Sequence, residues 1–250
     1  MNGDKINQYI RYITLDRESI TNTNQYPFDL PVMKGLNKLD FHNNVTFIVG
    51  ENGTGKSTLL EAVAVAYGFN PEGGTKNFNF STKDSHSNLN EYINVVKGIK
   101  KPRDGFFLRA ETTYNLASNI DELDKEVLGR RIIDSYGGVS LHEQSHGESF
   151  FSIFLNKFGE RGIYILDEPE AALSPSRQMA MLTRIKELVD LNCQFIIATH
   201  SPILMAYPDA VIYEIKDDRI NEVEYEETEH YQITHSFLNN KEKFLEILMD

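Results

Sequence analysis

Four short segments carry residue types suited to phosphate and water chemistry. The first, Gly50-Glu51-Asn52-Gly53-Thr54-Gly55-Lys56-Ser57-Thr58, has the glycine, lysine and hydroxyl spacing of a phosphate-binding loop. It follows the apolar run Val45-Thr46-Phe47-Ile48-Val49 and precedes Leu59-Leu60-Glu61-Ala62-Val63-Ala64, so it reads as a turn from a strand into a helix. Glycines in such a turn let backbone N–H groups converge on an anion, and the helix start adds partial positive charge. Lys56 then reaches the β- and γ-phosphates of a nucleoside triphosphate, and Ser57 offers its hydroxyl to Mg2+. Gly50, Asn52, Gly53, Thr54, Gly55 and Thr58 complete the expected phosphate-binding set.

The second segment is Leu166-Asp167-Glu168-Pro169, at the end of the apolar run Gly162–Leu166. Adjacent acids at a strand end repel each other unless a cation lies near. Asp167 is therefore expected to hold magnesium, directly or through water, and Glu168 to polarise the attacking water. The third, Gln144-Ser145-His146-Gly147-Glu148-Ser149, opens an apolar helix. Its residue types serve equally a second anion site and an ordinary helix cap. The fourth is Thr199-His200-Ser201-Pro202, after another apolar strand. A histidine there can hydrogen-bond a γ-phosphate and report its presence, the alternative being a plain surface residue.

These segments need elements to hold them. Gln8–Leu15, Phe106–Leu108, Gly162–Leu166 and Phe195–Thr199 read as strands, the last two as uninterrupted apolar runs of the buried parallel kind. Between them Met179, Leu182, Ile185, Leu188 and Val189 mark a helix from Ser176 to about Asp190, with Pro175 in its first turn. Strand–helix–strand alternation predicts an α/β domain with a mostly parallel sheet covered by helices. Residues 84–140 are more polar, with helical patterns at Leu89–Val96 and Leu116–Leu128, and read as an inserted helical subdomain. The nucleotide-binding core is then about 1–83 and 141–250. The tail reads as strands near Val211–Ile215 and Ile220–Tyr225, then helices near His230–Leu238 and Lys241–Leu248.

Composition narrows the function classes. The net charge of −12 argues against a surface coated in nucleic-acid contacts, though not against a local basic groove. Lys97, Lys100, Lys101 and Arg103 form one basic cluster and Arg130-Arg131 another, both read as solvated loops and helix ends. The acidic run Glu222, Glu224, Glu226, Glu227 and Glu229 reads as a solvent-facing strand edge and turn. A lone Cys193 supports no disulfide framework, and no apolar run approaches the roughly 20 residues that span a bilayer. The start, Met1-Asn2-Gly3-Asp4-Lys5, has no leader pattern, so the expectation is a cytoplasmic chain.

Taken in order, the four segments resemble the ATP-binding-cassette class of P-loop ATPases. The strings Asp167-Glu168-Pro169-Glu170-Ala171-Ala172-Leu173-Ser174-Pro175 and Ala198-Thr199-His200-Ser201-Pro202 are similar to its soluble branch of chromosome-structure, DNA-repair and overcoming-lysogenisation-defect ATPases. Tyr26-Pro27-Phe28, Asn77-Phe78-Asn79-Phe80-Ser81-Thr82, Leu141–Ser149 and Thr228-Glu229-His230-Tyr231 further resemble small bacterial predicted AAA-family ATPases. The resemblance implies ATP and Mg2+ as ligands and a head-to-tail homodimer with ATP sandwiched between one copy's phosphate loop and the other's signature. Ser145, Gly147 and Glu148 would then act on the partner copy's nucleotide, and Ala171–Ser174 would cross the seam. Two features depart from transporter cassettes. The signature carries Gln144 and His146, and Leu108-Arg109-Ala110-Glu111 stands where a Gln loop is usual, which makes Glu111 a candidate magnesium ligand. Tyr26 and Phe28 are available to stack on adenine or to join the core.

The leading expectation is an ATPase that closes a homodimer on ATP and reopens on hydrolysis, with Lys56, Glu168 and His200 catalytic. No second catalytic constellation is visible in the sequence, so the output falls to a partner, nucleic acid or a nuclease or defence protein. The alternatives are the ATP-binding subunit of a membrane transporter and a nucleotide-gated scaffold with little turnover.

Overall fold

The structure is a computed structural model that describes residues 8–76, 87–109, 118, 120, 131, 133, 134, 138, 142 and 146–249. Its main sheet has the order β5-β6-β7-β3-β8-β9, with β3 Val45–Gly50, β5 Asp104–Arg109, β6 Gly162–Asp167, β7 Gln194–Ala198, β8 Ala210–Lys216 and β9 Arg219–Val223. All neighbours pair in parallel except the β8–β9 hairpin. A smaller antiparallel sheet has the order β2-β1-β4, from β1 Ile10–Leu15, β2 Lys38–Asp40 and β4 Ile93–Lys97.

The unbroken apolar runs follow from burial on both faces of the main sheet. Side chains alternate in direction along a strand. Phe47, Tyr164, Leu166, Phe195 and Ile197 therefore join one core, with residues of α3 His146–Asn156 and α4 Pro175–Asp190. Ile48, Ile163, Ile165, Ile196 and Ala198 join the other, against α2 Lys56–Tyr67 and the small sheet. Gln194 ties the sheets together: its side chain accepts from Tyr9 N and Ile10 N, both at 2.9 Å, and donates to Ile10 O and His42 O, both at 2.8 Å.

The helix predicted from Ser176 begins at Pro175, and the Ser174 hydroxyl accepts from Arg177 N as its N-cap. Met181, Ile185 and Leu188 face the core, whereas Met179 is 55% exposed. The two methionines differ by two residues, which is more than half a turn, so only one can face inward. The short α1 Pro31–Gly35 and α5 Pro202–Met205 lie near the loop and His200 respectively, and α6 Glu229–Asn239 and α7 Lys241–Met249 close the chain.

The helix expected over Leu89–Val96 is not formed. Asn88–Glu91 makes a single 3-10 turn and β4 begins at Ile93. Antiparallel pairing of Ile93–Lys97 with β1 decides the conformation, and β-branched Ile93, Val95 and Val96 suit it. Leu116–Leu128 lies outside the described residues, apart from Ser118 and Ile120. Among the described residues, no helix is long and apolar enough to cross a membrane.

Candidate functional site

Three of the four chemical segments meet at the C-terminal ends of β3, β6 and β7. Gly50 ends β3, Asp167 ends β6, and Thr199-His200 follows β7. This edge of a parallel sheet is where loops between strands and helices gather. The backbone of the first loop explains its glycines. Gly55 has φ 96°, and a Cβ there would lie 2.7 Å from Val32 Cγ1. A Cβ on Gly50 would meet the Ile215 carbonyl oxygen at 2.7 Å. Asn52 and Gly53 are exposed, Thr54, Ser57 and Thr58 partly so, and the Thr54 hydroxyl donates to Glu51 O at 2.8 Å.

Lys56 opens α2 and is 4% exposed. Its ammonium donates to Gly50 O at 2.8 Å and Glu51 O at 2.9 Å, inside the curve of the loop. Burial pushes its pKa down, opposed by the nearby charges of Glu168, Asp167 and Glu170. The lysine is thus surrounded by acids from the next strand end. A phosphate entering the loop competes with two carbonyl oxygens for the same ammonium.

Asp167 is buried, and the Arg109 guanidinium lies 3.4 Å from its Oδ2 through Nε. Nη1 of the same arginine donates to Glu61 Oε2 at 2.7 Å. Arg109 therefore links the end of β5 to α2 and to the acidic strand end. Glu168 takes the left-handed conformation, φ 48° and ψ 53°, and its N–H donates to Ala198 O at 3.0 Å. A non-glycine residue in this region costs of order 1–3 kcal/mol, and such strain clusters at functional sites. The turn aims Glu168 toward His200, whose Nε2 lies 3.3 Å from Glu168 Oε1.

Two residues that sequence reasoning passed over complete this arrangement. Partly buried Glu170 accepts from the Thr199 hydroxyl at 2.8 Å and from His200 N at 2.5 Å. Burial raises its pKa, and those two hydrogen bonds work against the rise. From α6, His230 Nε2 lies 2.9 Å from His200 Nδ1. The carboxylate of Glu168 only accepts, so His200 carries its proton on Nε2. Neutral His200 then accepts at Nδ1, and His230 Nε2 must donate. That leaves His230 Nδ1 as an acceptor, and it is one of the buried side-chain atoms without a hydrogen-bond partner among the described residues. Burial lowers the pKa of both histidines, as does the Lys56 charge, so both favour the neutral form. Only the position of Glu170 inside the acidic string could have marked it. His230 lies 30 residues from His200, and no local pattern joins them.

The other predicted residues lie elsewhere. At the start of α3, a Cβ on Gly147 would meet Ala172 O at 2.3 Å, and Glu148 Oε1 lies 3.6 Å from Arg177 Nη2. These two therefore sit against the 3-10 turn Pro169–Ala172 and the first turn of α4. Ser145 and Glu111 lie outside the described residues. Phe28 is buried with its ring edge-on to Tyr92 at 4.9 Å, which makes it core, and Tyr26 is 61% exposed. No group of three or more His, Cys, Asp or Glu side chains among the described residues could by itself hold a metal.

The parallel sheet, its phosphate loop and the acidic strand end have the arrangement of a P-loop domain. The family model AAA_23, an AAA domain, matches residues 19–247, and the chain belongs to that family. Over 203 residues it is 25% identical to the ribose import ATP-binding protein RbsA of Yersinia pestis bv. Antiqua (strain Antiqua), covering 74% of this chain and 37% of that protein. The chain thus spans little more than a third of that relative's length. Among solved structures it is similar to the SMC head domain from Thermotoga maritima, with TM-score 0.46 and 16% identity over 87% of this chain and 100% of that chain. It is also similar to cbiO1 from Clostridium perfringens, part of the ABC transporter complex cbiONQ, with TM-score 0.48 and 20% identity over 97% of this chain and 100% of that chain.

Proposed function

We propose that this domain binds ATP with Mg2+ and hydrolyses it to ADP and phosphate, closing a head-to-tail pair of copies around the nucleotide. One observation carries the reading: Lys56, Asp167, Glu168 and His200 converge from the ends of β3, β6 and β7 around one phosphate loop. The similarity to a protein named as ATP-binding supports the choice of nucleotide. Backbone N–H groups from Asn52 to Thr58 and the Lys56 ammonium hold the β- and γ-phosphates. Glu168 accepts the proton of a water whose oxygen attacks the γ-phosphorus, while the bond to the β,γ-bridging oxygen breaks and ADP leaves. His200 turns its Nε2–H hydrogen bond from Glu168 to a γ-phosphate oxygen and keeps the proton, which couples the presence of that phosphate to the Glu168 side chain.

The oxygen donors Ser57 and Asp167 fit Mg2+, which takes a few protein oxygens alongside phosphate and water rather than an all-protein cage. Bound Mg2+ supplies charge neutralisation at the phosphates; Glu111 belongs to the same proposed set. Ser145, Gly147 and exposed Glu148 act on the second copy's nucleotide, and Ala171–Ser174 crosses the seam. The motion passes to a partner, nucleic acid or a nuclease or defence protein.

The test is Glu168→Gln. With ATP and Mg2+ this variant should bind nucleotide, lose turnover by at least about 100-fold, and accumulate as a dimer in light scattering. A variant that stays monomeric at saturating ATP removes the sandwich. Turnover of the native chain no higher than that of the variant leaves a nucleotide-gated scaffold instead. The similarity to RbsA favours a second reading, the ATP-binding subunit of a transporter; a polytopic membrane protein co-purifying with the trapped variant would establish it.

A further inference from the structure

The opposite edge of the main sheet carries a separate feature. Lys56 opens α2 at the phosphate loop and Tyr67 closes it, so the two ends stand about 18 Å apart at 1.5 Å per residue. Beside Tyr67 lies a cleft of 470 Å3 whose lining includes Lys76, Lys97, Lys101, Arg103 and Lys157. A second cleft of 480 Å3 shares Lys101 and Arg103 and adds Lys100 and Arg161. Seven of the chain's 25 Lys and Arg residues thus line one strip, although the net charge is −12.

Among the described residues that line the two clefts there is one acid. Asp104 is the acid in its lining, and that carboxylate faces inward: Oδ2 accepts from the Tyr164 hydroxyl at 2.9 Å and from Gly159 N at 3.1 Å, and Oδ1 from Gly105 N at 2.8 Å. Arg103 pairs with Glu160 at 2.7 Å. The ammonium groups of Lys76 and Lys97 lie 3.7 and 4.8 Å from the centroid of the same Tyr67 ring. That ring draws two like charges together, and the pKa of Lys76 falls through burial and then through the Lys97 charge. Holding like charges together disfavours the free protein and favours an anion that spans them. Five of the seven cations are lysines, compact point charges that suit phosphate oxygens without demanding one planar geometry.

We infer that this strip binds the phosphodiester backbone of a nucleic acid, without reading its bases. The inference rests on the reading of the domain as an ATPase that acts with a partner, and it selects nucleic acid from the partners proposed. Backbone binding of this kind is dominated by counterion release. Residues at both ends of α2 then belong to functional sites, one for each ligand.

The experiment measures fluorescence anisotropy of labelled duplex and single-stranded DNA and of RNA, from 50 to 200 mM salt, on the native chain and on Lys97→Glu/Lys101→Glu. Both lysines are exposed, so the substitutions disturb no core. The native chain should bind at least one of the three, with affinity falling as salt rises. The double variant should bind more than about tenfold more weakly, and its slope of log affinity against log salt should be shallower by about 2. The neutral pair Lys100→Gln/Lys101→Gln should lose a smaller part of the affinity. ATP turnover and thermal melting of each variant report folding and the proposed nucleotide site separately. Lys56→Ala, which should lose ATP, should keep nucleic-acid binding in the absence of nucleotide.

Equal nucleic-acid affinity for the native chain and the double variant would overturn the inference. So would no binding to any of the three nucleic acids, or displacement by poly-glutamate at the same charge concentration that DNA requires. No ATP turnover by the native chain, with its nucleic-acid binding intact, would refute the ATPase reading and leave the strip standing.

Discussion

His230→Ala isolates a group that reaches the nucleotide site only through another residue. The substitution removes the donor that His230 Nε2 offers His200 Nδ1 at 2.9 Å and leaves the Lys56, Asp167 and Glu168 side chains in place. A neutral hydrogen bond contributes about 0.5–1.5 kcal/mol net, and about 1.4 kcal/mol is tenfold in rate, so kcat should fall about 2- to 13-fold. The fall should appear in kcat, with the KM for ATP little changed, because the lost bond fixes which His200 nitrogen carries the proton rather than how the loop grips phosphate. Steady-state turnover of His230→Ala, His200→Ala and the double variant forms a cycle. If His230 acts through His200, the double variant matches His200→Ala alone. Independent losses that multiply would refute the reasoning and assign His230 a structural part in seating α6.

Lys56→Ala should abolish ATP binding in equilibrium titration; retained affinity would sink the phosphate-loop assignment. Gln194→Leu strips the partners from backbone groups of Tyr9, Ile10 and His42 and should lower stability by about 2–4 kcal/mol in urea melts. An unchanged midpoint would show that the small sheet docks without it. The lowered pKa of His200 and His230 gives a pH signature. Above the ordinary value of 6.5 both states hold neutral histidines and the contribution is intact; as pH falls below 6.5 the unfolded chain binds protons first and stability drops toward the lowered folded pKa. The groups facing the pair are Lys56, Glu168, Glu214, Glu229 and Glu51. Comparing melts at pH 7.5 and 5.5 for the native chain and His230→Gln should show a smaller acid loss in the variant, since their difference cancels the carboxylates.

Local sequence determined the phosphate loop, the acidic strand end and the capped start of α4. In each, the physics lies between near neighbours: glycines that permit a tight turn, apolar runs that demand burial, a serine and proline that begin a helix. The same local information misread Leu89–Val96, because its apolar spacing fits a helix as well as a strand and only pairing with β1 chooses. It also treated Lys97, Lys100, Lys101 and Arg103 as a solvated loop. Tertiary structure alone set Lys97 beside Lys76 on the Tyr67 ring, and carried the strip on to Lys157 and Arg161. Likewise the β8–β9 hairpin and the turn after it return the chain so that His230 meets His200. Electrostatics and hydrogen bonding depend on distance in space. The sequence therefore determined which groups were present, and the packing of the sheet decided which of them act on one another.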